Sequence, residues 1–577
     1  MALASRLQAA RDRLPAFQPG LMAPAVVVAL VYLVLAPMVL VVLSSLKLTK
    51  GYLPFEPQAP WSLENYGEVF LDPGTYSVLV NTLVFSVASL ALALVISGIL
   101  AWLVERTDMP FGNWVFALIV ASIGIPGVIS AIAWTLLLNP TNGIINLALR
   151  AFVPVTEGPI DVYTLYGLVF AESLTLVPVT YLLITASFRT MDSTLEDAGL
   201  ASGANRWAVT RRITIPMLTP ALMGAVIYQF VNVIASFDLP LIIGLRAGIP
   251  LLSTEIFANA RPLMGIPDFG VAATYSMLLL ALALGPLVVY GRLIGRSERF
   301  ATISGHGFRP RQIELGRWKA AALVFAFLFI LLSFLLPLFV LVWTSIQPFY
   351  SPPSEESIRR ITFDAFGRIL DSPTLSPVFL NTFIVCALTA LGTMILGLLV
   401  GWLIVRTRSR MRIALDILSF IPNILPGVII GLSVLLFYFL VPIRLYGTLW
   451  IVVVGLMTQL IPLATRLMTG SIAQINKQLE EAGSASGASR WPVLRRIILP
   501  LVRPAFVNGL LLIFLVSMQH LTVPLMLSTP NNTVITAAIY SEWDHGDTSM
   551  AAALGVVVVS VTVTLAAVLR AFRGALQ

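Results

Sequence analysis

Long apolar runs alternate with short polar connectors along the whole chain. They lie near 21–45, 78–104, 113–138, 162–188, 219–244, 271–294, 320–345, 376–405, 413–440, 446–470, 504–528 and 550–572. A helix rising 1.5 Å per residue needs about 20 apolar residues to cross the hydrocarbon core of a bilayer, and each run is that long. Strands of a membrane barrel would alternate apolar and polar positions over about 10 residues. The pattern predicts an all-α integral membrane protein with twelve transmembrane helices, because a lipid-exposed backbone must satisfy its hydrogen bonds internally.

Composition agrees. Of 577 residues, 58% are hydrophobic and 11% charged, and the mean hydropathy is +0.91. Soluble domains carry about 25% charged residues. The single cysteine, Cys386, excludes an intramolecular disulfide. With only His306, His520 and His545 beside it, little material remains for a soft-metal site, and none is expected. The net charge of +8 is spread over short loops, so no nucleic-acid partner is expected. Residues 1–20 are polar, with Arg6, Arg11 and Arg13, and the run after them is too long for the apolar core of a signal peptide.

Charge then orients the spans. With the N-terminus in the cytoplasm, cytoplasmic segments hold 27 of the 36 basic residues, while acidic residues gather outside. This positive-inside bias predicts that both termini are cytoplasmic.

The spans also repeat. Asn81-Thr82 returns as Asn381-Thr382, AWLVERT (Ala101–Thr107) as GWLIVRT (Gly401–Thr407), and Ile125-Pro126-Gly127 as Leu425-Pro426-Gly427, each 300 positions on. Past the external loop Asn139–Asp161 the offset is 284, pairing Pro178 with Pro462 and Pro240 with Pro524. Six helices separate the copies, so both face the same way. Two parallel six-helix repeats follow, residues 1–291 and 320–577, joined by a basic cytoplasmic linker at 292–319, each repeat expected to form one bundle.

One polar segment is written twice, between the fourth and fifth span of each repeat: EDAGLASGANRWAVTRRITIP (Glu196–Pro216) and EEAGSASGASRWPVLRRIILP (Glu480–Pro500). The surrounding loops run near 189–216 and 471–500. Asp192-Ser193, acids in the first turn and later arginines fit a short helix. Ala198, Gly199, Ala201, Ser202 and Gly203 leave one flank almost without side chains, although glycine costs a helix about 1 kcal/mol against alanine. That cost makes sense where another backbone approaches closely. An interfacial connector whose arginines track lipid headgroups is the plain alternative, but repetition at equivalent sites argues for a pseudo-symmetric partner.

Both segments resemble the EAA motif of permease subunits in ATP-binding-cassette (ABC) importers, E-A-A-x-x-x-G-x9-I-x-L-P. The matching positions are Asp197, Ala198, Gly199, Gly203, Ile213 and Pro216, then Glu481, Ala482, Gly483, Gly487, Ile497 and Pro500. Both copies have glycine for the second alanine, and the first has aspartate for glutamate. The resemblance implies a fold like that of type I importer permeases. It also implies coupling helices that dock on two copies of an ABC ATPase subunit, and a solute-binding protein at the external face. None of the four lysines (Lys47, Lys50, Lys319, Lys477) follows a glycine, so no P-loop is present and this chain is not expected to bind a cofactor. ATP and magnesium would belong to the partner subunits.

Other polar groups offer a candidate path. Glu172 falls mid-way along the fourth apolar run and Asp238 toward the external end of the fifth. Gln519 and His520 lie near the second-half equivalent of Asp238, Thr522. Intramembrane carboxylates line a cavity or meet a partner helix, and the sequence leaves both open. Pro126-Gly127 and Pro426-Gly427 are candidate hinges or simple kinks. Glu56, Glu64, Glu68 and Asp72, with Glu355, Glu356, Asp364 and Asp371, are where a delivery protein would meet the external loops, although positive-inside sorting also leaves acids there.

An importer permease is therefore expected, in the bacterial inner membrane. The fused two-half layout resembles ferric-iron permeases. Thiamine, aminoethylphosphonate and polyamine permeases are related alternatives. An ion-coupled secondary carrier would need no doubled docking helix, and a membrane enzyme would need more histidine, cysteine or clustered carboxylates.

Overall fold

The computed structural model describes residues 22–49, 52–150, 152, 158–190, 194–262, 264–294, 313–407, 411–487 and 490–575. Arg6, Arg11, Arg13, Asp192-Ser193, His306 and most of the 292–319 linker lie outside the described residues. Among the described residues the structure is helical, and strand-like pairing is limited to two isolated bridges, Lys47 with Trp61 and Thr107 with Ile313.

Nine described helices are long and apolar enough to cross a membrane: Met22–Ser45, Pro73–Arg106, Leu165–Arg189, Phe269–Pro286, Gly316–Ser345, Ser376–Arg406, Leu449–Ala473, Trp491–Gln519 and Thr548–Leu565. Three further segments qualify only as bent pairs, so the number reaches twelve if each pair is one span. Two of these pairs are the third segment of each repeat, bent by 99° between Gly112–Gly124 and Gly127–Leu138 and by 109° between Met411–Asn423 and Gly427–Leu440. The cause is local. Proline disfavours helical geometry in the residue before it and donates no hydrogen bond. Ile125 is accordingly extended (φ −89°, ψ 115°), as are Pro126 (ψ 146°) and Pro426 (ψ 137°), and a new helix starts at each following glycine.

The fifth apolar run also differs from a single helix over 219–244. Helix Ile215–Ile234 ends, and a separate π-helical turn covers Pro240–Gly244. The break covers residues 235–237, and Asp238 opens the helical piece beyond it rather than lying on helix Ile215–Ile234.

By contact, the described chain forms two compact units that divide it differently from the repeat. One joins the first span to residues 379–534. Within it, the Tyr32 and Phe437 rings meet edge-on at 5.0 Å and Thr458 Oγ1 donates to Leu33 O at 3.2 Å. Gly397 and Gly401, four residues apart, let the second and fourth spans of that repeat touch, since a methyl group on Gly397 would stand 2.6 Å from Ala464 Cβ. Ala390, Met394, Trp402 and Met468 fill the core around this contact.

The other unit holds residues 44–378 and 535–568. Its second and fourth spans pack along their length, with Ser97 Oγ donating to Val177 O at 3.1 Å. Gln229 Nε2 reaches Leu176 O (3.1 Å) and Thr180 Oγ1 (2.8 Å) from the fifth. The end of the inter-repeat linker is fastened here too. Ile313 N donates to Arg106 O at 2.8 Å, Asp108 N to Ile313 O at 3.1 Å and Leu315 N to Asp108 Oδ1 at 2.8 Å, and Lys319 Nζ lies 2.7 Å from Asp108 Oδ2.

Candidate functional site

The doubled segment forms the same local structure twice. A short helix, Thr194–Ala201 or Gln478–Ala485, carries two acids in its first turn, where the helix dipole favours negative charge. In the second copy Asn476 Oδ1 accepts from Gln478 N at 3.0 Å. Then come a four-residue helix, Arg206–Val209 or Arg490–Val493, a π-helical turn, Thr210–Thr214 or Leu494–Ile498, and the fifth span.

Each glycine of the motif has its own task. Gly203 (φ +84°) and Gly487 (φ +85°) are left-handed, a conformation that costs an L-residue with a side chain about 1–2 kcal/mol. At the first, Ala204 N donates to Gly199 O (3.2 Å) and Gly203 N to Leu200 O (3.0 Å), the Schellman pattern that closes a helix C-terminus. Gly199 and Gly483 make room inside: a methyl group there would meet Ile213 Cδ1 at 2.8 Å or Ile497 Cδ1 at 2.6 Å. The motif isoleucine therefore packs over the motif's first glycine, and the segment folds back on itself.

Its outer face is smooth. Asp197, Ala198, Ala201 and Gly203 are exposed, as are Glu481, Ala482, Ala485 and Gly487. Ser202 and Ser486 turn their hydroxyls back onto the carbonyls of Ala198 (2.8 Å) and Ala482 (3.0 Å). Exposed Leu195 and Leu479 flank the acids.

The sequence reading missed the residues that hold these helices down. The acid just before each motif, Glu196 or Glu480, turns inward to the arginine that ends the second span, Arg106 or Arg406. Arg406 Nε is 2.5 Å from Glu480 Oε1, with both side chains less than a tenth exposed. Arg406 also donates to Ile475 O at 3.0 Å, just beyond the fourth span, and Trp402 Nε1 lies 3.4 Å from Glu480 Oε2. In the first copy, Thr214 Oγ1 donates to Glu196 Oε1 at 2.5 Å, and Glu105 pairs with Arg189 through two bonds of 3.0 and 2.7 Å. The repeated AWLVERT and GWLIVRT stretches and the duplicated preceding acids were the available signals, but nothing in a linear pattern pairs them.

Among the candidate path residues, Glu172 is buried, with no hydrogen-bond partner on Oε2 among the described residues. Ser236, in the break after the fifth helix, and Asp238, which opens the next helical piece, lie near its carboxyl. Asp238 also backs onto the start of helix Gly127–Leu138, where a methyl group on Gly127 would stand 2.5 Å from its Oδ2. The first repeat thus gathers Glu172, Asp238 and the Pro126-Gly127 break. Beside that break lies a cavity of about 90 Å³ lined by Ser122, Ser130, Trp134, Thr175 and Ser333, among others. In the second repeat, uncharged Gln459 and Thr522 stand 3.5 Å from the corresponding position on Gly427. Gln519 ends its helix and His520 is the extended residue after it (ψ 123°). No cluster of three or more histidine, cysteine or carboxylate side chains suited to a metal occurs among the described residues.

Comparison with known proteins fits this arrangement. Residues 393–576 match the family described as the binding-protein-dependent transport system inner membrane component. A ferric transport system permease protein of Actinobacillus pleuropneumoniae is 24% identical over 407 residues, 70% of this chain and 58% of that protein. This chain therefore spans less than two thirds of that relative's length. An Fe(3+)-transport system permease protein of Haemophilus influenzae is 25% identical over 491 residues, covering 84% of this chain and 87% of its own. A putative 2-aminoethylphosphonate transport system permease protein of Salmonella typhimurium is 28% identical over 249 residues, 43% of this chain and 92% of that one. The chain thus resembles ABC-importer permease subunits of the binding-protein-dependent kind, ferric-iron permeases among them.

Proposed function

We propose that this chain forms the membrane path of a bacterial importer driven by two copies of a separate ABC ATPase. The observation that carries the reading is the doubled, exposed, side-chain-poor helix, since two nearly identical surfaces suit two identical partners. Sequence residues 1–291 and 320–577 act as the two permease halves, with both termini cytoplasmic. A solute-binding protein delivers cargo to the external loops. Ferric iron is the substrate the reading favours, supported by the two ferric permease relatives. Asp197, Ala198, Gly199 and Gly203, with Glu481, Ala482, Gly483 and Gly487, face the ATPase. Glu172, Asp238, Gln519 and His520 border the path, and the Pro126-Gly127 and Pro426-Gly427 breaks are hinges for alternating access.

The test is to purify the protein in mild detergent from its host's membranes and identify what accompanies it. The expected result is an ATPase subunit at two copies per permease, lost when Asp197→Arg and Glu481→Arg are combined, and a partner binding protein that takes up ferric iron. A binding protein that prefers aminoethylphosphonate would replace the substrate but keep the class. A permease that arrives alone and transports on an ion gradient would make it a secondary carrier.

A further inference from the structure

The importer reading assigns the outer face of each short helix to the ATPase and leaves the inner face without a task. Eight residues make too short a helix to hold its shape in isolation. A partner pushing on such a helix would bend the loop, and no motion would reach the spans unless something rigid connected them. The structure contains such a connection in both copies.

Arg106 and Arg406 sit in the last turn of their spans, where a helix end favours positive charge, and Glu196 and Glu480 sit in the first turn of the short helices, where it favours negative charge. Each pair therefore joins the C-terminus of one helix to the N-terminus of another, with both charges compensated at their own ends. Burial removes the water that would otherwise let the partners drift apart.

The junction is wider than two helices, and the repeats build it differently. In the second, the Arg406 guanidinium spans all three elements, meeting Glu480 and the carbonyl of Ile475 beyond the fourth span. In the first, two pairs divide the work. Arg106 takes Glu196, which also accepts from Thr214 at the start of the fifth span, while Glu105 takes Arg189 at the end of the fourth. The second repeat has Val405 and Ala473 where the first has Glu105 and Arg189. The same connection reached with different residues is not what a leftover of duplication looks like.

We propose that Arg106–Glu196 and Arg406–Glu480 are positioning pairs that make each short helix and its second span one rigid lever, so that movement of the ATPase is carried directly to the spans. The inference rests on the importer reading.

The experiment uses the full permease with its co-purified ATPase and the binding protein from the same host, in lipid vesicles. Spin labels at Gln478→Cys and Ile395→Cys, in a Cys386→Ser background, report the distance from the short helix to its second span with and without ATP. In the otherwise unaltered protein that distance stays fixed. With Glu480→Gln added it changes on ATP binding. ATPase subunits remain bound in that variant, while stimulation of hydrolysis by the binding protein falls about tenfold, within the usual range of coupling between sites. Arg406→Lys, which keeps the charge but not the fork, gives an intermediate loss. A distance that shifts on ATP binding in the otherwise unaltered protein overturns the lever, even if Glu480→Gln fails to accumulate. Full stimulation in Glu480→Gln does the same. A permease that brings no ATPase overturns the importer reading and the lever together, which separates the two failures.

Discussion

Asp238 occupies the space that a side chain on Gly127 would need, with its Oδ2 2.5 Å from where a methyl group would sit. The carboxyl thereby rests against the start of a twelve-residue helix, where peptide N–H groups point outward and the dipole favours an anion. At the matching Gly427 the nearest side-chain atoms, on Gln459 and Thr522, are 3.5 Å away, an ordinary contact distance. Gly127→Ala is expected to push Asp238 away from the helix start and to cost about 1–3 kcal/mol in overpacking. Gly427→Ala is expected to be nearly neutral. Thermal unfolding of the two variants in the same detergent checks the asymmetry, and equal losses would contradict it.

Gly203→Ala and Gly487→Ala meet no neighbouring atom, so they test backbone conformation alone. Each is expected to cost about 1–2 kcal/mol locally, by placing a side chain in the left-handed region. Asparagine, which tolerates that region better, should cost less. The check is hydrogen exchange of amides in the short helices, which should quicken more in the alanine variants than in the asparagine ones.

Two ion pairs in the second copy, one residue apart, should differ sharply. Glu480→Ala strands the Arg406 guanidinium in a buried site and is expected to cost about 3–5 kcal/mol. Lys477→Ala removes a pair at 2.7 Å whose side chains are half exposed, and should change stability by less than about 1 kcal/mol. Denaturation midpoints of the two variants decide the matter.

The fastening of the linker should respond to acid. The Asp108 carboxyl is held below its ordinary value of 3.8 by Lys319 first and the Leu315 amide second. A depressed carboxylate stabilises above its unfolded value, and that contribution is lost as pH falls through the lower folded value. Exchange of the Ile313 and Leu315 amides, corrected for the intrinsic rate, should thus be unchanged from neutral pH down to 3.8 and quicken only below it. Asp108→Asn should quicken it at neutral pH, and its difference from the unaltered protein should shrink as pH falls below 3.8.

What could be read from the chain was what is periodic or repeated. Long apolar runs marked the helices, and the doubled segment marked its own importance, because both signals are local. Proline and glycine announce a disturbance at 126–127 and 426–427, but a bend near 100° depends on extended backbone at the break, which composition does not specify. The sequence places Asp238 on the fifth helix because Phe237, Leu239 and Pro240 keep the run apolar past Ile234, where the helix stops. The short helices Glu64–Leu71, Leu252–Ala260, Asp364–Asp371 and Ile535–Asp544 are below span length and leave no long apolar run in the sequence. The pairing of Arg106 with Glu196 spans 90 positions and that of Arg406 with Glu480 spans 74, and no periodicity links residues so far apart.

A gene that carries the same domain twice invites recombination between its copies. The uneven junction behind the short helices stands in the way of that exchange. Copying the AWLVERT codons into the second half would set a glutamate at position 405 where Ala473, not an arginine, occupies the matching site, and copying in the other direction would leave Arg189 without the Glu105 carboxylate. Gene conversion would thus leave one half with an arginine lacking its carboxylate, or the other with a carboxylate lacking its arginine.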